Sequence, residues 1–236
     1  MILFRQFFDP TSCTLSYLLA DPVTGDAVII DSVKEHVGAY ITFLQEQELQ
    51  LAWVLETHVH ADHITGAAGL CEFTGARSAI GASGGVGCAD RLLKEGDTLV
   101  FGNEVIRVIP TPGHTPGCVT YHWRDRIFTG DSLMIGGCGR TDFQGGDAGA
   151  LYDSVHERLF TLADETLVYP GHDYRGARVS CISQEKESNP RLAGRSRSDF
   201  IELMSNLGLP RPNMMDEALP ANLRCGRVEA MDFHGA

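Results

Sequence analysis

The sequence predicts an α/β fold in which two β-sheets face each other with helices on the outside. Three observations carry this. Short runs of large apolar residues recur along the chain, several of them joined by tight turns as in β-hairpins. Between some of them lie longer stretches with apolar residues at helical spacing. The pattern then occurs a second time, a β-rich and helix-punctuated half followed by another, with no low-complexity linker between them.

Taken in order, residues 2–8 and 14–20 read as the first two strands. The turn Asp21-Pro22-Val23-Thr24-Gly25-Asp26 leads into a third strand at 27–31, which makes a hairpin. Val37, Tyr40, Ile41 and Leu44 fall at i, i+3, i+4 and i+7 and predict an amphipathic helix over 35–50. Leu51-Ala52-Trp53-Val54-Leu55 reads as a buried strand, and a helix follows near 66–73. The glycine-rich stretch 81–87 lacks the Gly-Lys-Ser/Thr ending of a P-loop and reads as a flexible loop. Gly102-Asn103 joins strands at 97–101 and 104–109, and Arg124-Asp125 joins strands at 118–123 and 126–129. Asp147 is placed to cap a helix that carries Leu151, Tyr152, Val155 and Leu159 on one face. A strand at 166–169 precedes a helix over 175–188, a break at Asn189-Pro190, a helix over 198–207 stopped by Gly208 and Pro210, and irregular last residues. With 236 residues the expectation is a single domain, 1–236, in which residues from about 175 onward form a short C-terminal extension.

Composition excludes several classes. Apolar residues make up 43% and charged residues 21%, the balance of a soluble globular chain. A net charge of -12 argues against a nucleic-acid partner, which needs a basic face. Of the 19 Lys and Arg, 9 lie between Arg175 and Arg227 against 6 acids there, so this part of the chain has the charge to hold a small anion. No apolar run reaches the roughly 20 residues that cross a bilayer, and the N-terminus lacks the pattern of a secretory signal, so no membrane role is expected. Seven Cys, an odd number without CxxC pairing, fit reduced thiols and a cytoplasmic location better than a disulfide framework.

Candidate chemistry concentrates in four loops. His58-Val59-His60-Ala61-Asp62-His63 packs three imidazoles and a carboxylate into six residues after a predicted strand. His114, Asp131 and His172 each follow the C-terminal end of another predicted strand. Imidazole and carboxylate are metal ligands, and ligand sites in sheet proteins collect at such strand ends. The residues alone leave the metal count open, because seven candidate ligands are enough for two ions. His36, His122, His156 and His234 occupy a helix start, a strand, a helix and the tail, and read as ordinary residues.

These loops resemble the metallo-β-lactamase superfamily, which implies an αβ/βα four-layer sandwich with a metal at one edge of the two sheets. Longer matches narrow the resemblance to the persulfide dioxygenases, also called sulfur dioxygenases. They are Thr57-His58-Val59-His60-Ala61-Asp62-His63-Ile64-Thr65-Gly66, Pro112-Gly113-His114-Thr115-Pro116-Gly117-Cys118-Val119, Phe128-Thr129-Gly130-Asp131, Gly137-Cys138-Gly139-Arg140-Thr141-Asp142-Phe143-Gln144, Tyr169-Pro170-Gly171-His172-Asp173-Tyr174, Asn189-Pro190-Arg191-Leu192 and Pro220-Ala221-Asn222-Leu223-Arg224-Cys225-Gly226. The resemblance implies one Fe(II) per chain, held by His58, His114 and Asp131. It also implies that His60, Asp62, His63, His172 and Asp173 orient those ligands or bond water and substrate.

The implied reaction takes glutathione persulfide, O2 and water to sulfite and glutathione. Glutathione carries two carboxylates, and Arg140 is the expected grip for one of them, with Tyr174 as a further donor; a structural salt bridge is the competing role for Arg140. Cys138 and Cys225 lie in matched segments and are expected to be buried, inert thiols. A homodimer is compatible with the sequence. The alternative activity is that of a dinuclear zinc hydrolase of glutathione thioesters, of the glyoxalase II type, with Asp131 bridging the metals. A third reading, a scaffold around a structural metal, is disfavoured because none of the Cys lies in the ligand loops.

Overall fold

Successive side chains of a strand point to opposite faces, and in this chain both faces are apolar. Along β2 (Leu15–Ala20), Leu15, Tyr17 and Leu19 enter one core while Leu18 and Ala20 enter another. The division repeats in β3 (Asp26–Ile30), where Val28 and Ile30 part from Ala27 and Ile29. A strand buried on both faces must be covered on both, and that requirement produces four layers. The computed structural model describes residues 3–228.

The first sheet runs in the order β1 (Leu3–Phe8), β2, β3, β4 (Gln50–Leu55), β5 (Arg77–Gly81), β6 (Arg91–Leu93). Its first two pairings are antiparallel and the rest parallel. The second sheet contains β7 (Thr98–Phe101), β8 (Glu104–Pro110), β9 (Val119–Trp123), β10 (Arg126–Gly130), β11 (Leu167–Pro170) and β12 (Ser180–Cys181), side by side in sequence order. All its pairings are antiparallel except β10 with β11. Between the sheets lies an aromatic-rich core with Tyr17, Trp53, Tyr121, Trp123 and Phe128. Helices α1 (Val37–Glu46) and α2 (Ala67–Thr74) cover the outer face of the first sheet through Tyr40, Leu44 and Leu70. Helices α3 (Ala148–Ser154), α4 (Ile182–Ser188) and α5 (Arg197–Ser205) cover the second, through Leu151, Ile182 and Phe200. Asp147 caps α3 as expected, its side chain accepting from Ala150 N at 2.8 Å, and the helix continues as a π-helical turn, Val155–Leu159.

Several expectations need correction. Residues 173–177 form a turn instead of a helix, because Asp173 Oδ1 accepts from both Arg175 N and Ala177 N, and the helix begins only at Ile182. The tail is not irregular throughout: Met215–Asn222 is a helix, α6, with Pro220 inside it. The glycine stretch 81–87 is packed at Gly81 and Gly84 and open at Gly85 and Gly87. A Cβ on Gly81 would meet Gly117 O at 2.1 Å and one on Gly117 would meet Gly84 Cα at 2.4 Å, so the glycines let two backbones cross. The seven Cys are not all reduced thiols. Cys88 and Cys225 form a disulfide, so Cys225 is no inert thiol, while Cys13, Cys71, Cys118, Cys138 and Cys181 are free. His234 lies outside the described residues.

Candidate metal centre

Four strands of the two sheets end at the same edge, and the residues just past them meet there. His58 follows β4, His114 follows β8, Asp131 follows β10 and His172 follows β11. His58, His114 and Asp131 are all buried, and their free ligand atoms lie within 4.8 Å of one another. Each is aimed by a bond from its other end. His58 Nδ1 donates to Thr57 Oγ1 at 3.0 Å, and Thr57 Oγ1 donates onward to Asp31 Oδ2 at 2.8 Å. His114 Nδ1 donates to the Arg140 carbonyl at 2.6 Å. Both rings thereby keep the Nε2 lone pair for the cluster, the usual way of fixing a metal-binding tautomer. Burial, with His60 and His114 nearby, pushes His58 well below the ordinary histidine range, so it is the neutral base that a metal requires.

Asp131 is divided between two tasks. Its Oδ1 accepts from His172 Nδ1 at 2.7 Å, and its Oδ2 faces His114 Nε2 at 3.7 Å. Burial would raise its pKa, but His172, His114 and His58 hold it well below the usual carboxylate range. His172 is the counterpart. Burial alone would lower it, yet Asp131 on one nitrogen and Asp62 on the other, at 3.0 Å, raise it well above the ordinary value. The ring is an imidazolium clamped between two carboxylates. Asp62 is likewise held far down against its burial, by His172 and by His63, whose Nδ1 lies 2.9 Å from Asp62 Oδ2. Thr14 donates to the same oxygen at 3.1 Å.

His60 turns the other way. Its Nε2 lies 3.2 Å from both Asp31 Oδ1 and Glu56 Oε2; the first contact is a hydrogen bond, and the second is off line and electrostatic. Burial opposes its charge, but these two carboxylates raise it well above the ordinary range. Among the described residues, His60 Nδ1 and His63 Nε2 are buried without a hydrogen-bond partner. Thr14, Asp31, Glu56 and Asn222 are therefore parts of the site that sequence reasoning missed. Thr14, Asp31 and Glu56 are single polar residues beside apolar strands, and Asn222 lies in the Pro220–Gly226 segment that carries the resemblance, where nothing local marks its role.

The cluster opens onto a cavity of about 720 Å³. His58, His114, Asp131 and His172 line it together with Cys138, Arg140, Phe143, Tyr174, Arg175 and Arg211. Arg140 reaches this cavity with its guanidinium already engaged. It pairs with Asp142 at 2.6 and 2.7 Å, donates to the Pro210 and Leu209 carbonyls, and lies 4.4 Å from the Phe143 ring centre. The direct grip on a ligand carboxylate is thus not its present geometry; it builds the wall. No hydrogen bond or ion pair to the Arg175 guanidinium is present among the described residues. Tyr174 is exposed and its ring stacks on His172 at 5.7 Å. Asp173 is spent on the turn that follows and takes no part in the histidine network. Cys138 is fully buried, and burial pushes its thiol up to about 11. His36, His122 and His156 lie apart from the cluster, against Asp9, the Arg124 carbonyl and Tyr152.

The fold and this loop set define a class. Residues 13–172 match the metallo-beta-lactamase superfamily model, and the chain belongs to that superfamily. Within it, the chain is 47% identical to human mitochondrial persulfide dioxygenase ETHE1 over 95% of its own length and 89% of the human protein's, and so belongs to the persulfide dioxygenase family. The crystal structure of ETHE1 from Myxococcus xanthus superposes with a TM-score of 0.94 at 50% identity, covering 95% of this chain and all of that one. Glyoxylase B2 of Dictyostelium discoideum is more distant, 27% identical over 95% of this chain and 91% of its own.

Proposed function

We propose that the protein is a dioxygenase that converts glutathione persulfide, O2 and water to sulfite and glutathione, with one Fe(II) per chain held by His58, His114 and Asp131. The observation that carries this is the commitment of Asp131 Oδ1 to His172, which leaves one carboxylate oxygen beside two Nε2 lone pairs. That donor set, two imidazoles and one carboxylate, suits a non-haem Fe(II) with open coordination positions. When bound, the iron supplies a redox-active centre for oxygen chemistry on sulfur. This chain's residues do the rest. Thr57 and the Arg140 carbonyl fix the two imidazole tautomers. His172 holds protons on both ring nitrogens between Asp131 and Asp62 and keeps the carboxylate from rotating. His60 and His63 support the same loop. Arg140 shapes the cavity wall, and Arg175 and Tyr174, which line the cavity, would meet a carboxylate of glutathione.

A dinuclear zinc hydrolase of glutathione thioesters is the second reading. The two unpartnered nitrogens, His60 Nδ1 and His63 Nε2, favour it, since His60, Asp62 and His63 also form a compact group. Against it, Asp131 has no second oxygen free to bridge, and Asp62 Oδ2 already accepts from Thr14, His63 and His172. The test is anaerobic purification, metal quantification and an oxygen-electrode trace with glutathione persulfide. Oxygen uptake with sulfite release is expected, and fast thioester hydrolysis without oxygen uptake overturns the assignment. A cytoplasmic location and a homodimer belong to the same proposal; fractionation and light scattering test them. Among the described residues no helix is long and apolar enough to cross a membrane.

A further inference from the structure

The C-terminal segment holds the histidine loop from outside. Asn222, buried at the end of α6, donates through Nδ2 to the carbonyls of His60 at 2.9 Å and His63 at 2.8 Å. Its Oδ1 accepts from Thr65 N at 2.9 Å. The Cys225 carbonyl accepts from Ala68 N at 3.1 Å. Gly226 lies against Thr65 so closely that a Cβ there would sit 2.4 Å from Thr65 O. Four main-chain groups between residues 60 and 68 thus take their partner from Asn222 or Cys225. The segment is itself retained by a small apolar cluster, in which Leu219 and Cys225 pack with Val59, Ile80, Val86 and Cys88, and by the bond between Cys88 and Cys225. Cys88 belongs to the connection between β5 and β6, so the bond ties the tail to the first sheet across a separation of 137 residues.

We infer that Cys88–Cys225 is a thiol–disulfide switch that sets how firmly residues 222–226 hold the loop bearing His58, His60 and His63. Both half-cystines are partly exposed, so a small thiol can reach them. In reducing compartments disulfides are usually redox-sensing and not permanent. Opening has a direct structural consequence. Cys225 has a φ of +60°, a conformation that a residue with a side chain keeps only when its surroundings impose it. With the bond cut, that backbone is free to relax, which draws the Cys225 carbonyl off Ala68 and Gly226 off Thr65. Asn222 then loses the anchor on its C-terminal side.

The chemistry balances with a low-molecular-weight thiol as reductant. Its thiolate attacks Cys88 Sγ, a mixed disulfide forms, and the Cys88–Cys225 bond breaks with its electron pair leaving on Cys225 Sγ, which takes up a proton. A second thiolate attacks the small-molecule sulfur of the mixed disulfide, releasing Cys88 as the thiol and the reductant as its own disulfide. Two thiols are oxidised and one protein disulfide is reduced.

The consequence for the metal rests on the function proposed above, and the test separates the two. Metal-loaded protein is equilibrated at graded ratios of reduced to oxidised glutathione, alkylated and digested, and hydrogen exchange is followed at 58–68 and 215–226. A peptide linked through Cys88 and Cys225 is expected in the oxidised samples. Its loss is expected to coincide with faster exchange in both segments and with metal release to a chelator about tenfold faster, as when partners of metal ligands are lost. Cys88→Ser and Cys225→Ser should match the reduced wild type at every ratio, and Asn222→Ala should loosen the loop in both states. The reduced wild type serves where a variant fails to fold. Absence of the linked peptide after treatment with diamide, or unchanged exchange at 58–68 when the bond opens, overturns the switch. The exchange result decides it even where metal assays refute the proposed activity.

Discussion

Asp131 shows how one side chain sets the chemistry of a site. A carboxylate with both oxygens free can bridge two metals, whereas one with an oxygen bound to an imidazolium offers a single ligand atom. His172 makes that difference here. The expected outcome is that Ala at His58, His114 or Asp131 abolishes iron binding, measured by plasma emission on protein purified from iron-replete cells. Ala at His172 or His63 should leave most of the iron and lower activity roughly ten- to a hundredfold, the usual loss when a partner of a ligand is removed. Close to two metals per chain, with His63→Ala removing one, would sink the mononuclear reading. Arg140 makes the companion case. Its fork joins Asp142 to two carbonyls of the 209–210 strip, so Arg140→Ala should unfasten the cavity wall. A loosened wall weakens substrate binding in ground state and transition state alike, so KM should rise roughly severalfold while kcat changes little. Arg140→Lys should not restore it, because one ammonium cannot span the three acceptors. An unchanged KM with a lowered melting temperature would reduce Arg140 to a structural pair.

Elements were legible in proportion to how far local pattern alone determines them. Asp147 precedes an apolar face at helical spacing, and the structure places its carboxylate on Ala150 N. Asp147→Ala should therefore cost about 1 kcal/mol, and a chain of this length should melt roughly 2–4 °C lower by calorimetry, with the metal site intact. A drop beyond about 8 °C would mean that Asp147 does more than cap. Strands that alternate between two apolar faces, such as β2 and β3, were equally readable. The misses share a cause. β5 and β6 are short and owe their place to parallel pairing with neighbouring strands, which no local turn signals. α6 has only a short face of mostly small apolar residues and contains Pro220, and it is secured by tertiary bonds through Asn222. The helix expected from residue 175 fails because Asp173 captures the amides that would begin it. The site followed the same rule. Its four loops were legible as ligand-type residues after strands, while Asp31 and Thr14 converge from distant stretches that carry no motif, and the roles of Glu56 and Asn222 depend on contacts that their own stretches do not reveal.

At the scale of the whole molecule, the proposed metal centre lies where the two sheets meet. His58 comes from the first sheet, and His114 and Asp131 come from the second. An ion held by all three links the two sheets of the sandwich at one edge, which the folded chain can do and the unfolded chain cannot. Binding to the folded state alone stabilises it by mass action, about 2.7 kcal/mol when free metal is a hundredfold above its dissociation constant. For a chain of this size that corresponds to a melting temperature roughly 5–10 °C higher. The apo cluster adds to the contrast. Without a cation, the buried Asp131 carboxylate shares the His172 imidazolium with the half-buried Asp62, so removing the metal leaves the edge less well compensated. Anaerobic protein loaded with Fe(II) should therefore melt higher than the same preparation after chelation, and re-addition of Fe(II) should restore the difference. His58→Ala should melt at one temperature regardless of metal, since its first-sheet ligand is gone. Equal melting temperatures for wild type with and without Fe(II), in samples whose iron content is confirmed to differ, would show that the ion does not link the two sheets.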